Sequence, residues 1–376
     1  MTGVRRGPSP GERPRIAIIG CGDVADRHYL PALEALGEQV SVVALVDPRP
    51  GAAERVASAI AGWSPGARAY LELDAMLEAE VADAAIDLTP APLHFGVNLA
   101  CLEAGLHLYS EKPLAGSLED ADRLIETARE RDRMFLCAPG EAVTKRVRWL
   151  SDVAASGRFG EPTLMVTHHA DPGPAAWREY TGDPTPFYRD GVGPLFDHGI
   201  YRLHVLTTVL GPVSRVQAMG AISSPTRMVR GGPLTGRRID VTTPDHLLIN
   251  LEFAGGGLGQ LLASFGTPSS RAPWLEVHFP MATISFAGQS YEPDAPVSLY
   301  VDDDGPLGLE GWVDDIAVPR DDVGVVEAGV RHFVACLRGQ TEPVLTAEHA
   351  RHALDIVVRT YASIADGEAH RTTTTF

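Results

Sequence analysis

Between residues 15 and 138, short apolar runs alternate with stretches whose apolar positions recur at helical spacing. The runs cover residues 16–19, 40–46, 84–88, 106–109 and 134–137, with a weaker one near 68–70. Helical patterns occupy 24–36, 93–104 and 118–131, and Ser117-Leu118-Glu119-Asp120 supplies an N-terminal cap for the last. Strands separated by helices at this spacing predict parallel βαβ units, hence an α/β doubly wound parallel sheet over residues 15–140.

After Gly140 the rhythm changes. A helix over 143–154 leads to a turn and a strand ending near His169, and strand-like runs follow at 213–221, 246–253, 258–265, 275–279, 283–286 and 297–301. Short glycine-containing connections such as Gly255-Gly256-Gly257 suit antiparallel pairing. Helical patterns interrupt this series at 194–210, closed by Gly211-Pro212, and end it at 325–337 and 347–366. Residues 141–376 therefore read as a second, α+β domain with an open, mostly antiparallel sheet. Residues 1–14 carry no apolar stretch and read as a disordered tail.

Composition narrows the partners. A formal charge of −17 argues against nucleic acid, whose phosphates are bound through clustered basic residues. No segment is apolar over about 18 residues, which argues against a membrane span. The four cysteines form no C-x-x-C pair and fit a reducing compartment, so the expected location is cytoplasmic.

The turn after the first strand is Gly20-Cys21-Gly22-Asp23-Val24-Ala25. In a G-x-G-x-x-A turn the first glycine permits the bend, the second lets backbone approach a pyrophosphate, and the helix N-terminus faces the anion. Asp47, followed by Pro48, ends the second strand 22 residues beyond Ala25, where a carboxylate accepts hydrogen bonds from ribose hydroxyls. That carboxylate favours NAD over NADP, although Arg49 stands where it can accept a 2′-phosphate.

Lysine is rare in this chain. Lys112, in Glu111-Lys112-Pro113, and Lys145 are the two lysines among 32 basic residues. Arginine covers the other cationic positions, so Lys112 suggests a need for a compact amine.

Together the G-x-G-x-x-A turn, Thr89-Pro90 with His94, Glu111-Lys112-Pro113, and Gly191-x-Gly-x-x-x-Asp197-x-Gly199-x-Tyr201 resemble the Gfo/Idh/MocA family of oxidoreductases. The resemblance implies an N-terminal Rossmann domain, a C-terminal sheet that often makes homodimer or homotetramer contacts, and NAD(P)-dependent chemistry on sugars, cyclitols and related polyols. It implies a motif lysine beside nicotinamide and substrate, and a Lys112-Pro113 peptide that is cis. It also carries over Asp197 and the residue four later as a catalytic pair.

Spacing adds to this. Asp197, Tyr201 and His204 fall at i, i+4 and i+7 and share a helix face, which by spacing alone is either a solvent-facing stripe or a functional one. Many relatives carry histidine where Tyr201 stands. A phenol has an ordinary pKa near ~10, so it needs a neighbouring cation to act as a base near neutrality. Lys112 is the candidate cation, and His204 a candidate for relaying the proton or a hydrogen-bonded structural residue.

His168 and His169 end a strand and point to opposite faces, so one of them faces a site. With His198 and His204 they show neither the acidic ligands nor the spacing of a known metal site. They read as substrate hydrogen-bond donors, with metal expected to be absent. Residues 171–193 read as a structureless loop rich in proline and aromatics, with Trp177 and Arg178 as substrate contacts or, equally, as a cover or oligomer contact.

The function expected is NAD-dependent hydride transfer to or from a secondary alcohol of a sugar, cyclitol or sugar-bearing metabolite. Two alternatives stay open: redox-neutral elimination or glycoside cleavage through transient oxidation, and a non-catalytic NAD- and sugar-binding regulator.

Overall fold

Ile16, Ile18 and Ile19 are buried in β1 (Arg15–Ile19), the strand around which a six-stranded sheet is built. The computed structural model describes residues 12–79, 81–288, 292, 294–302 and 310–376; residues 1–11 of the expected tail lie outside these. Strands β2 (Ser41–Val46), β3 (Arg68–Tyr70), β4 (Ala84–Asp87), β5 (His107–Ser110) and β6 (Phe135–Cys137) complete the sheet in the order β3-β2-β1-β4-β5-β6, every pair parallel. A sheet covered on both faces buries both side-chain sets, which is why these strands read as continuous apolar runs rather than alternating ones. The order reverses between β1 and β4, so the β1 turn and the β4 loop emerge side by side at the carboxyl ends, where such sheets bind ligands.

Helices α1 (Leu30–Ala35), α2 (Ala52–Ile60), α3 (Leu73–Glu78), α4 (His94–Glu103) and α5 (Leu118–Glu130) join the strands. The Ser117 hydroxyl caps α5 by accepting from the Asp120 amide at 3.1 Å. The helix expected over 24–36 is instead a π-helical turn, Ala25–Tyr29, running into α1. Pro31 stands in the first turn of α1, directly after the π-helical turn.

The remaining elements are α6 (Lys145–Ala155), β7 (Leu164–Ala170), α7 (Ile200–Leu210), β8 (Val213–Ala221), β9 (Thr226–Met228), β10 (Arg238–Asp240), β11 (His246–Phe253), β12 (Leu258–Ser264), β13 (Leu275–Phe279), β14 (Ala282–Phe286), β15 (Val297–Asp302), β16 (Glu310–Val313), α8 (Val325–Leu337), α9 (Ala347–Asp366) and β17 (His370–Arg371). Nine of these strands form a sheet ordered β16-β15-β14-β13-β7-β12-β11-β8-β17, antiparallel except for β7 with β12. Period-two alternation is plain in it. Val216, Ala218, Leu247, Ile249, Leu261 and Ala263 are buried against α6 and α7, while Gln217, Met219, Leu248 and Asn250 face outward.

The polarity pattern did not reveal β9, β10, β16 or β17, each of two to four residues. The expected structureless loop also needs correction. Residues 171–193 carry two 3-10 turns, Pro174–Ala176 and Thr185–Tyr188, tied down by fully buried Tyr188, whose hydroxyl accepts from the Ala175 amide at 3.1 Å and whose ring meets Phe265 at 5.7 Å.

The chain divides into two compact units, Met1–Thr144 with Val323–Leu354 and Lys145–Asp322 with Asp355–Phe376. This differs from the contiguous boundary at 140 read from the sequence, because α8 returns to the first unit. Val330, Phe333, Val334 and Leu337 join the core of β1 and β4, and the Phe333 ring packs tilted against Tyr109 at 5.5 Å. Gly140 and Gly329 make the approach possible, since a Cβ at Gly140 would meet the Gly329 amide at 2.7 Å. Among the described residues, no helix is long and apolar enough to cross a membrane.

Candidate active site

The first half of the candidate site is the turn after β1. Gly20 has φ +96°, and a Cβ there would lie 2.7 Å from the Leu88 carbonyl oxygen, so this position excludes other residues twice over. Gly22 differs. Its φ is not positive, and a Cβ would meet only Nη2 of Arg49, at 3.9 Å, so the space over Gly22 is open. Such a cradle fits a phosphate group approaching backbone at the start of a helical segment. Asp23 and Val24 are exposed at its rim, Asp23 paired with Arg27 at 2.9 Å, and Ala25 is buried beneath it.

Asp47 ends β2 beside this turn and is 3% exposed. Its Oδ2 accepts from the Cys21 amide at 2.9 Å, and its two oxygens take Nε and Nη2 of Arg49 at 2.9 and 2.7 Å. The Arg49 guanidinium holds the Asp47 carboxyl down at about 2, so it is ionised at neutral pH. Pro48 is exposed next to it.

Two further loops stand at the β4 and β5 ends. The Asp87 Oδ1 accepts from both the amide and the hydroxyl of Thr89, at 2.9 and 2.7 Å, and burial pushes the Asp87 carboxyl above its ordinary value. Pro90 is exposed beyond Thr89. His94, 1% exposed, spans the two loops: Nε2 lies 2.8 Å from the Thr89 carbonyl and Nδ1 2.6 Å from that of Pro113. Lys112-Pro113 is cis, as the resemblance implied. The Glu111 carboxylate fixes the turn, accepting from the Tyr29 hydroxyl at 2.7 Å through Oε1 and from the Lys112 amide at 2.9 Å through Oε2. Tyr29 therefore links the helix of the glycine turn to the lysine, a role the sequence did not suggest. The signal available was a lone polar tip on an otherwise apolar position.

In the second unit, Asp197 and His198 lie in a π-helical turn, Leu195–Gly199, and Tyr201 and His204 in α7. Asp197 is 7% and His204 1% exposed and Tyr201 is half-buried, so the stripe is not a solvent-facing one. His198 is at the centre of a ring cluster. Its ring stacks on His169 at 4.2 Å and 24°, meets Trp177 at 5.4 Å, Tyr201 at 6.0 Å and Phe265 at 6.4 Å, and its Nδ1 lies 3.3 Å from Asp197 Oδ2. His169 is the member of the strand-end pair that joins this cluster, while burial, with the Arg202 charge, pushes His168 below the ordinary histidine value. Burial also pushes His169 below the ordinary histidine value. Arg178 is exposed, and its backbone carbonyl packs against Gly231.

One residue of the cluster went unread in the sequence. Asp171 Oδ2 lies 3.2 Å from His169 Nε2, and the Gly173 amide donates to its Oδ1 at 2.6 Å. His-x-Asp at a strand end was the available signal. It supplies the acidic partner that was missing when these histidines were read as having no ligand set.

Known proteins share both units. The profile described as "Oxidoreductase family, NAD-binding Rossmann fold" matches residues 14–138, and that described as "GFO/IDH/MocA C-terminal domain" matches 147–285. A dTDP-3,4-didehydro-2,6-dideoxy-alpha-D-glucose 3-reductase of Streptomyces violaceoruber is 30% identical over 290 residues, covering 72% of this chain and 78% of its own. D-glucoside 3-dehydrogenase of Escherichia coli K12 is 26% identical over 362 residues, covering 94% and 96%. The crystal structure of a super-repressor mutant of Gal80p from Saccharomyces cerevisiae superposes with a TM-score of 0.79 at 16% identity over 96% of this chain and 98% of that one, a likeness of fold alone. With a glycine cradle at the β1–β4 reversal, an acid at the end of β2, a cis Lys-Pro turn after β5, and both profiles matched in order, the chain belongs to the Gfo/Idh/MocA family of NAD(P)-dependent oxidoreductases.

Proposed function

We propose that this protein transfers hydride between NAD and a secondary alcohol or ketone of a sugar, cyclitol or sugar-bearing metabolite. The observation that carries the reading is the anchoring of Lys112, whose turn is tied to the glycine-turn helix through Tyr29 and Glu111 and to the Thr89 loop through His94. Such anchoring fixes the backbone from which the Lys112 amine projects, a start on the positioning that orientation-dependent chemistry requires. Two relatives act at sugar position 3, so that carbon is the first candidate.

The residues fit a dinucleotide: an open cradle at Gly22, a forced bend at Gly20, and an ionised carboxylate at Asp47. When bound, the nicotinamide supplies the hydride acceptor or donor. Gly20, Gly22, Asp23, Val24 and Ala25 line the phosphate turn, Asp47 and Pro48 the ribose, and Thr89, Pro90, His94, Glu111 and Lys112 the nicotinamide side. Asp47 disfavours a 2′-phosphate and so favours NAD over NADP. In the oxidative direction Tyr201 takes the hydroxyl proton, Asp197 orients the hydroxyl, and Lys112 supplies the positive charge that makes a phenolate accessible near neutrality. Trp177 offers an aromatic wall for the apolar face of a sugar ring, His169 and His198 polar contacts for its hydroxyls, Arg178 a cation at its edge, and His204 a route for the proton.

The proposal extends to a cytoplasmic homodimer or homotetramer without a nucleic-acid partner, its sheet face at Met219 and Leu248 covered by a second copy. A non-catalytic regulator on this fold is disfavoured by the joint presence of Lys112, Asp197 and Tyr201.

The test is a screen of sugars, cyclitols and nucleotide sugars by NADH absorbance, with Lys112→Met as the blank. NADH formation with at least one of them, absent in the blank, supports the reading. Substrate consumption with tightly retained cofactor and no free NADH points to redox-neutral use. Sugar and NAD binding without any conversion sinks the enzyme reading.

A further inference from the structure

We propose that His169, Asp171 and His198 form a divalent-cation site in the second unit, with two imidazole nitrogens and one carboxylate oxygen as protein ligands. Their ligand atoms lie within 4.8 Å of one another. One ion with bonds of about 2.0–2.2 Å closes that spread after small side-chain rotations.

The donors come from three segments: the end of β7, the loop after it and the π-helical turn. His169 ends β7 at 8% exposure and turns Nε2 toward Asp171 Oδ2, 3.2 Å away. The Gly173 amide holds Asp171 Oδ1 at 2.6 Å, which leaves Oδ2 on the side of the imidazoles. Asp197 Oδ2 stands 3.3 Å from His198 Nδ1. A carboxylate on one ring nitrogen is the arrangement that sets the tautomer of a ligating histidine and presents the other nitrogen to a metal.

The two imidazoles stack at 4.2 Å, with Trp177 and Phe265 against His198 at 5.4 and 6.4 Å, so the cluster has an apolar wall on one side. Three protein ligands of this kind leave coordination positions for water or a small-molecule oxygen, and imidazole with carboxylate suits a first-row divalent ion such as Zn²⁺ or Co²⁺. The site adjoins Tyr201, whose ring lies 6.0 Å from that of His198. An ion there would present a second positive charge to a hydroxyl, carbonyl or carboxylate oxygen. The inference does not rest on the hydride-transfer reading, because cation binding is measured without turnover.

The experiment uses the full chain without an affinity tag, stripped with chelator, and titrated with Co²⁺ by visible absorption and with Zn²⁺ by calorimetry. The expected result is one equivalent bound with a Kd below about 10 μM, weakened at least ~10-fold in His169→Asn and in Asp171→Asn. Circular dichroism and NADH binding report whether the variants are folded. The proposal is overturned if the wild type shows no saturable equivalent below about 1 mM, a result independent of variant folding. It is equally overturned if both folded variants bind as tightly as the wild type, which puts the ion elsewhere.

Discussion

Asp47 and Arg49 form a two-point ion pair beside the glycine turn, Nε to Oδ1 at 2.9 Å and Nη2 to Oδ2 at 2.7 Å. In the proposed reading the pair sets a carboxylate and a guanidinium of opposite preference at the adenosine ribose, the acid against a 2′-phosphate and the base for it. Arg49→Gln should therefore weaken NADPH binding while leaving NADH within about 3-fold, raising the NADH preference by roughly 10-fold. Fluorescence titration with both cofactors checks this; an unchanged ratio means that Arg49 plays no part in selectivity.

The same pair has a pH signature. Because the folded-state value of Asp47, about 2, is below its ordinary 3.8, its stabilisation is fully present above the ordinary value and is lost as pH falls through about 2. Asp47→Asn should flatten the acid unfolding curve between about pH 4 and 2 relative to wild type. Parallel curves in that window would contradict the assignment.

Gly20 and Gly22 separate folding from binding. Gly20→Ala forces a side chain into a left-handed conformation and against the Leu88 carbonyl, costing about 2 kcal/mol or more. Gly22→Ala has space in the protein alone, so stability should change by less than about 0.5 kcal/mol while dinucleotide affinity falls at least ~10-fold. Thermal melts with NADH titrations distinguish the two, and equal loss of stability in both would be contrary to this account.

Tyr29→Phe removes the hydroxyl that holds Glu111. A charge-assisted hydrogen bond of about 1.5–3 kcal/mol is lost, and the Lys112 turn loosens. Turnover should drop roughly 10-fold with NADH affinity within about 3-fold, the split expected of a positioning residue. A change confined to NADH affinity would instead make Tyr29 part of the cofactor cradle.

What the sequence disclosed follows from the range of the forces involved. Buried parallel strands and the alternating faces of β8, β11 and β12 leave periodic apolar patterns, and Gly20 is dictated by local backbone, so these were legible. The return of α8 to the first unit was not, because a glycine contact between Gly140 and Gly329 is invisible in periodicity. Nor was the π-helical turn at Leu195–Gly199, whose residues read as ordinary helix. Asp171 escaped notice for another reason. Its carboxylate meets His169 locally, but the cluster forms only because the chain returns through Leu195–Gly199 to bring His198 onto His169, 29 residues along.

The central claim is that Lys112 makes Tyr201 a usable base. With a substrate from the screen in hand, the pH dependence of kcat is measured for wild type, Lys112→Met, Lys112→Arg and Tyr201→Phe. The account predicts that Lys112→Met lowers kcat by about 10²-fold or more and moves the base limb to higher pH, and that Tyr201→Phe removes that limb. An unchanged profile and turnover in Lys112→Met would contradict it and leave the lysine without a part in the chemistry.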